Sequence, residues 1–199
     1  MSGALPTALL PTKVTLRPLQ PTRVSSAHSL KRQARTRGAQ RWAISMSWQN
    51  MPKAIFMQFF AFLMAQRGQA DTFTTVLPGS TTPQGTWAGA PVVNGASQTG
   101  RLVNVRGLTA SQSSAAKAGD LVTFAGQTKV YMVTVDAASD GTGLAALTIE
   151  PALQASPLDS AVVTSSNVVF TVARASDSME SNLTPGMFYS LDLDMVEVF

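Results

Sequence analysis

The chain lacks cysteine altogether and has a single histidine, His28, among its 199 residues. The first absence excludes disulfides, thiolate metal sites and thiol chemistry. The second leaves neither a multi-histidine metal centre nor a histidine acid/base pair, so His28 reads as structural or incidental. Charge is also scarce: 13% of residues are charged and 45% are hydrophobic, which is too apolar for intrinsic disorder. A surface this poor in charge suits a protein largely covered by neighbouring subunits, and stability must then come from packing and assembly. Long apolar runs are missing too. The longest, Ala54 to Ala65, is interrupted by Gln58 and is shorter than the roughly 20 residues of a membrane span. The opening MSGALPTALLPTK has no basic stretch ahead of an apolar one, so neither a signal peptide nor a membrane span is expected.

Acids are nearly absent from the first part of the chain. Residues 1–77 hold ten Lys or Arg and one acid, Asp71, whereas residues 78–199 hold five against ten. Five of the bases, Lys31, Arg32, Arg35, Arg37 and Arg41, fall in one acid-free stretch. Such a run can bind nucleic acid by releasing counterions from phosphate, or it can be a loop or arm that meets an acidic face of an adjacent copy. No aromatic residues interleave the charges, which favours the second reading. Asp192, Asp194 and Glu197 on the last strand would supply the acidic face.

Prolines 6, 11, 18 and 21 keep residues 1–30 extended and turn-rich, with only Lys13–Arg17 patterned as a strand. Trp42, Ile44, Met46 and Trp48 alternate with smaller or polar residues, the period of a half-buried strand. Asn50 and Pro52 then signal a helix over 52–67, closed by Gly68, with Ile55, Phe59, Phe62 and Phe56, Phe60, Leu63 at helical spacing. It is apolar almost all round and is expected to be buried on more than one side. A strand over 71–77 follows.

From Pro78 the composition changes to a linker, 78–85, and then to short β runs at 101–105, 121–124, 130–135 and 145–149, with a hairpin signal at Asp140-Gly141. This suits a small barrel of the oligonucleotide/oligosaccharide-binding (OB) type. A strand at 168–173 and a polar turn over 176–186 lead to the last element, where Met187, Tyr189, Leu191, Leu193 and Met195 alternate with Phe188, Ser190, Asp192, Asp194 and Val196. Its natural partners are the strands carrying Trp42 and Trp48, which makes the middle of the chain an insertion. The fold class is therefore mainly β (β+α). A split β-barrel or sandwich is formed by residues 1–78 and 163–199 and includes the helix, and an OB-like β-barrel is formed by 79–162. The expected core residues include Trp42, Ile44, Trp48, Phe59, Phe60, Leu191 and Leu193.

No catalytic constellation is present. Asp136, Asp140 and Glu150 straddle the hairpin, but their spacing does not match a calcium loop, and Asp-Gly is explained by turn geometry. The glycines of 79–85 form neither a phosphate loop nor a nucleophile elbow. No cofactor, metal site or enzyme activity is expected.

Four passages, taken in order, carry a resemblance: Gln40-Arg41-Trp42-Ala43-Ile44-Ser45-Met46-Ser47, the helix through Phe62-Leu63, Ala118-Gly119-Asp120-Leu121 with Lys129-Val130-Tyr131-Met132-Val133-Thr134, and Tyr189-Ser190-Leu191-Asp192-Leu193. In this order the sequence resembles the distal tail proteins of siphophages, in the branch with an inserted OB-like domain. The resemblance implies a structural virion protein at the tip of a long non-contractile tail. Its first domain would close into a hexameric ring, with the tail tube protein on one side and the hub or baseplate, tape measure or side-fibre proteins as further partners. It also implies that Lys31, Arg32, Arg35, Arg37 and Arg41 lie near a subunit boundary or the tube-facing surface, with Asp192 and Asp194 as the acidic complement. Residues 1–35 match nothing in that family. The competing readings are a nucleic-acid-binding OB module with a basic arm, a carbohydrate-binding tail adhesin, and another tail protein such as the tube subunit or terminator.

Overall fold

The alternation that marks most strands in sequence also sorts them into two six-stranded sheets, beside a separate two-stranded ribbon. The computed structural model describes residues 3–26, 28, 30–79, 82–184 and 186–199. In chain order its elements are β1 (Lys13–Leu19), β2 (Thr22–Ser26), β3 (Arg32–Thr36), β4 (Arg41–Met51), α1 (Lys53–Ala65), β5 (Phe73–Val76), β6 (Gly89–Val93), β7 (Leu102–Leu108), β8 (Leu121–Phe124), β9 (Tyr131–Val133), β10 (Ala145–Glu150), β11 (Val163–Thr164), β12 (Val169–Arg174), β13 (Asn182–Thr184) and β14 (Phe188–Glu197). Among the described residues no helix is long and apolar enough to cross a membrane.

The first sheet runs β1-β4-β14-β12-β5, with β13 paired to β14. All its pairings are antiparallel, and β14 places Leu193 opposite Met46 and Met195 opposite Ile44. Because side chains alternate across a strand, Trp42, Ile44, Met46 and Trp48 share the inner face with Leu191, Leu193 and Met195, and all seven are buried. The helix lies on this face. Phe59 packs 5.2 Å from Trp48, Phe56 stacks on Tyr189 at 4.5 Å, and Phe62 meets Phe73 edge-on at 5.5 Å. Each large side chain taken out of water contributes about 1.5–3 kcal/mol, so this face is the main source of cohesion in the sheet.

Residues 3–12 tie the two edges of that sheet together. Leu5 N–H donates to the Thr74 carbonyl (2.8 Å) and Thr74 N–H to the Gly3 carbonyl (3.0 Å), so the segment extends the β5 edge. The chain then crosses Trp48, whose indole N–H donates to the Leu9 carbonyl (3.0 Å), and joins the other edge where Thr12 N–H meets the Ser47 carbonyl. Pro18 is tolerated inside β1 because β1 is an edge strand with no neighbour to receive the missing N–H.

The second sheet runs β11-β8-β9-β10-β7-β6. A bridge between Val92 and Val162 and the bond from Val93 N–H to the Ala161 carbonyl (2.9 Å) draw its ends together into a nearly closed barrel. Its own core holds Val103, Val105, Phe124, Tyr131, Val133, Leu147 and Ile149.

Several expectations need correction. Asn50 does not cap the helix; it has φ +55° inside β4, and Pro52 is the N-cap with no side-chain hydrogen bond. The helix is buried on one face only, through Phe56, Phe59 and Leu63, while Met57 and Met64 are exposed and Phe60 is half-buried. It lies across a single sheet, so one side has nothing to pack against. The basic stretch and part of the turn-rich N-terminal region pair as the β2–β3 ribbon. Part of the polar turn at 176–186 is the short strand β13, and β6 and β11 add strands to the middle of the chain. The segment 78–85 is not a free connector along its whole length, because residues 84–85 are clamped to the second sheet.

Candidate functional site

Three charged groupings stand out, and sequence spacing locates only one of them. The first joins the two sheets. Lys129, which precedes β9, and Glu197, at the end of β14, form an ion pair with both side chains almost fully removed from water. Lys129 also donates to Gln40 Oε1 (2.9 Å). Glu197 accepts the backbone N–H of Val130 (2.8 Å) on one oxygen and that of Trp42 (3.2 Å) on the other. The Trp42 indole N–H returns to the Val130 carbonyl (2.9 Å). Burial pushes the Lys129 ammonium down and the Glu197 carboxyl up, against the hydrogen bond each makes with the other. Phe199 covers the cluster, with its ring 4.7 Å from Lys129 Nζ and 5.8 Å from the Arg41 guanidinium.

Glu197 was grouped in sequence with Asp192 and Asp194 as one acidic face, and the structure separates it from them. Its odd number puts it on the inner face, where it is fully buried, and strict period-two counting would have found this. Lys129 carries no such signal, since a lysine before a strand is ordinarily solvated.

The second grouping is centred on Asp120, which is 3% exposed. One carboxylate oxygen accepts the N–H of Gln84 (2.6 Å). The other accepts those of Gly85 (3.0 Å) and Lys117 (2.9 Å) and the Trp87 indole N–H (2.8 Å). A Cβ on Gly85 would sit 2.7 Å from Ala116 Cα, so only glycine fits there. Asp120 therefore fastens the entry of the middle segment to its own sheet. Asp136, Asp140 and Glu150 go separate ways. Asp136 accepts Ala118 N–H (2.8 Å), Glu150 pairs with Arg101, and Asp140 is held by its own turn through the N–H groups of Thr142 and Leu144. Those turn donors lower the Asp140 carboxyl from its ordinary value.

The third is the β2–β3 ribbon with the outer face of the first sheet. Arg23 stands directly opposite Arg35, and Ser25 opposite Gln33, on one face of the ribbon; Val24 faces Ala34 on the other. Every residue of both strands is exposed, as are Lys31 and Arg37. Arg41 belongs elsewhere, at the start of β4 beside Phe199. Asp192 and Asp194 lie on the outer face of β14, opposite Ser47 and Ser45. Ser45 donates to Asp194 and accepts from Arg17 (3.2 Å). Among the described residues no ion pair joins Lys31, Arg32, Arg35 or Arg37 to an acid. All three aromatic residues of 79–162, Trp87, Phe124 and Tyr131, are buried, which leaves that segment without a surface platform for stacking sugars or bases.

Residues 80–170 match the family described as distal tail protein pb9, B domain. No curated protein matches the chain.

Proposed function

We propose, from the match of residues 80–170 to the distal tail protein pb9 B domain family, that this chain is a non-enzymatic structural protein of the phage distal tail, forming a hexameric ring at the distal end of a long non-contractile tail. In this reading residues 1–78 and 163–199 are the ring-forming domain, save that β11 (Val163–Thr164) pairs with β8 and goes with the second sheet, and 79–162 is an OB-like insertion that projects from it. The ring joins the tail tube to the hub or fibre. Lys31, Arg32, Arg35, Arg37, Arg41, Asp192 and Asp194 are its candidate interface residues.

The observation that carries this reading is the family match of the middle segment, set in a chain whose two ends share one sheet through β4 and β14. A sheet built from both termini is a body the insertion cannot interrupt without losing its central pairing. Native mass spectrometry of the full chain, alone and with tail tube protein, tests the proposal. A closed oligomer that stops at one layer is expected. Long polymers would indicate a tube subunit, and a chain that stays monomeric under both conditions would refute the ring.

A further inference from the structure

The β2–β3 ribbon has no structural reason to carry its charges where it does. It buries none of its residues. It also sets Arg23 against Arg35, and like charges directly opposite each other destabilise a strand pair. Residues 20–41 contain no acid that would relieve this. Yet the ribbon is held by its base. Arg37 N–H donates to the Pro21 carbonyl (2.9 Å), and Gln154, in the loop after β10, donates to the Gly38 carbonyl (2.9 Å).

We propose that this ribbon is a docking arm whose Arg23/Arg35 face seats on the acidic outer face of β14 in a second copy of the chain. The proposal rests on the ring reading and deepens it by naming the contact. Charge complementarity identifies the occupant. Asp192, Asp194 and Glu180 line a polar groove of about 230 Å³, with Asn182 and Arg174. The Arg174 guanidinium is buried and donates to the Ser178 carbonyl (2.6 Å), so the open side of the groove is acidic.

Its own ribbon does not fill this groove, whose described lining comes from residues 174–182 and 192–194. The ribbon leaves the sheet at the Leu19–Arg41 pair, whereas Asp194 and Asp192 sit opposite Ser45 and Ser47. These positions are about 13–20 Å back along β4 at the usual strand rise.

The full-length chain tests this directly. Arg23→Glu/Arg35→Glu and Asp192→Arg/Asp194→Arg each reverse an exposed charge pair. Each double variant is expected to weaken oligomerisation about tenfold or more in sedimentation, and to remove most of its salt dependence. Combining all four substitutions is expected to restore assembly. Because the chain has no cysteine, mixing R35C chains with D194C chains should give a disulfide-linked product that neither forms alone. Unchanged assembly of the Arg23→Glu/Arg35→Glu protein, or no mixed cross-link, overturns the proposal. So does a ribbon that retains a single-stranded oligonucleotide while Asp192→Arg/Asp194→Arg assembles normally. A wild-type chain that never oligomerises fails earlier and takes the ring reading with it, so the two failures are distinguishable.

Discussion

Two charged regions flank residues 36–42, and the fold treats them in opposite ways. At the sheet junction Lys129 and Glu197 are withdrawn from water together, and their remaining hydrogen-bonding capacity goes to Gln40, Trp42 and Val130. On the ribbon, cations are left in water with like facing like. Desolvating an ion costs several kcal/mol, which only a matched partner offsets. A solvated ion costs little and contributes little until a partner arrives. Charge near this part of the chain therefore has two separate uses: the junction fixes how the second sheet sits on the first, and the ribbon stays open to another molecule.

The sharpest way to break that contrast is to remove one member of the buried pair. Lys129→Met leaves Glu197 buried without its cation and is expected to cost about 3–5 kcal/mol in denaturant unfolding. The double variant Lys129→Met/Glu197→Leu should recover most of that loss, because it leaves no orphaned charge. If the single and double variants unfold alike, the loss does not come from an orphaned Glu197 charge. Phe59→Ala, in the first core beside Trp48, is expected to cost a similar 3–5 kcal/mol or so by leaving a cavity. Asp120→Ala strands three backbone N–H groups and an indole N–H, and a loss on the order of 3 kcal/mol is expected in the same measurement. Arg35→Ala, by contrast, should change stability by no more than about 0.5 kcal/mol, with any gain coming from relief of the Arg23 repulsion.

The smallest effect concerns acid. Asp140 has a lowered carboxyl because its turn donates to the ionised form. The stability it adds is therefore present above the unfolded value of 3.8 and is lost as pH falls through the lower folded value. Asp140→Asn should leave melting unchanged in shape below that window and lower it slightly above, as thermal scans from pH 2.5 to 6 would show.

The strands that bury one face were legible in the sequence. Trp42 to Trp48 and Leu191 to Met195 each alternate clearly, because water on one side and a core on the other impose that period, while Leu121 to Phe124 reads as a short apolar run between turns. The β2–β3 ribbon was not legible, since it buries neither face and leaves no alternation to read. The helix misled for a related reason. Its apolar residues run almost all the way round, but only the sheet shows which third of them is covered. Asp120 was visible as a turn residue, and its four donors come from segments up to 36 residues away.

By itself the sequence determined the β character of the chain, the change in composition at Pro78, and the separation of basic from acidic halves, because each is a local property of composition or period. Only the tertiary structure decided which charges are buried. Lys129, Gln40 and Glu197 lie at three distant points of the chain, and the energy of an ion depends on the atoms that surround it in space.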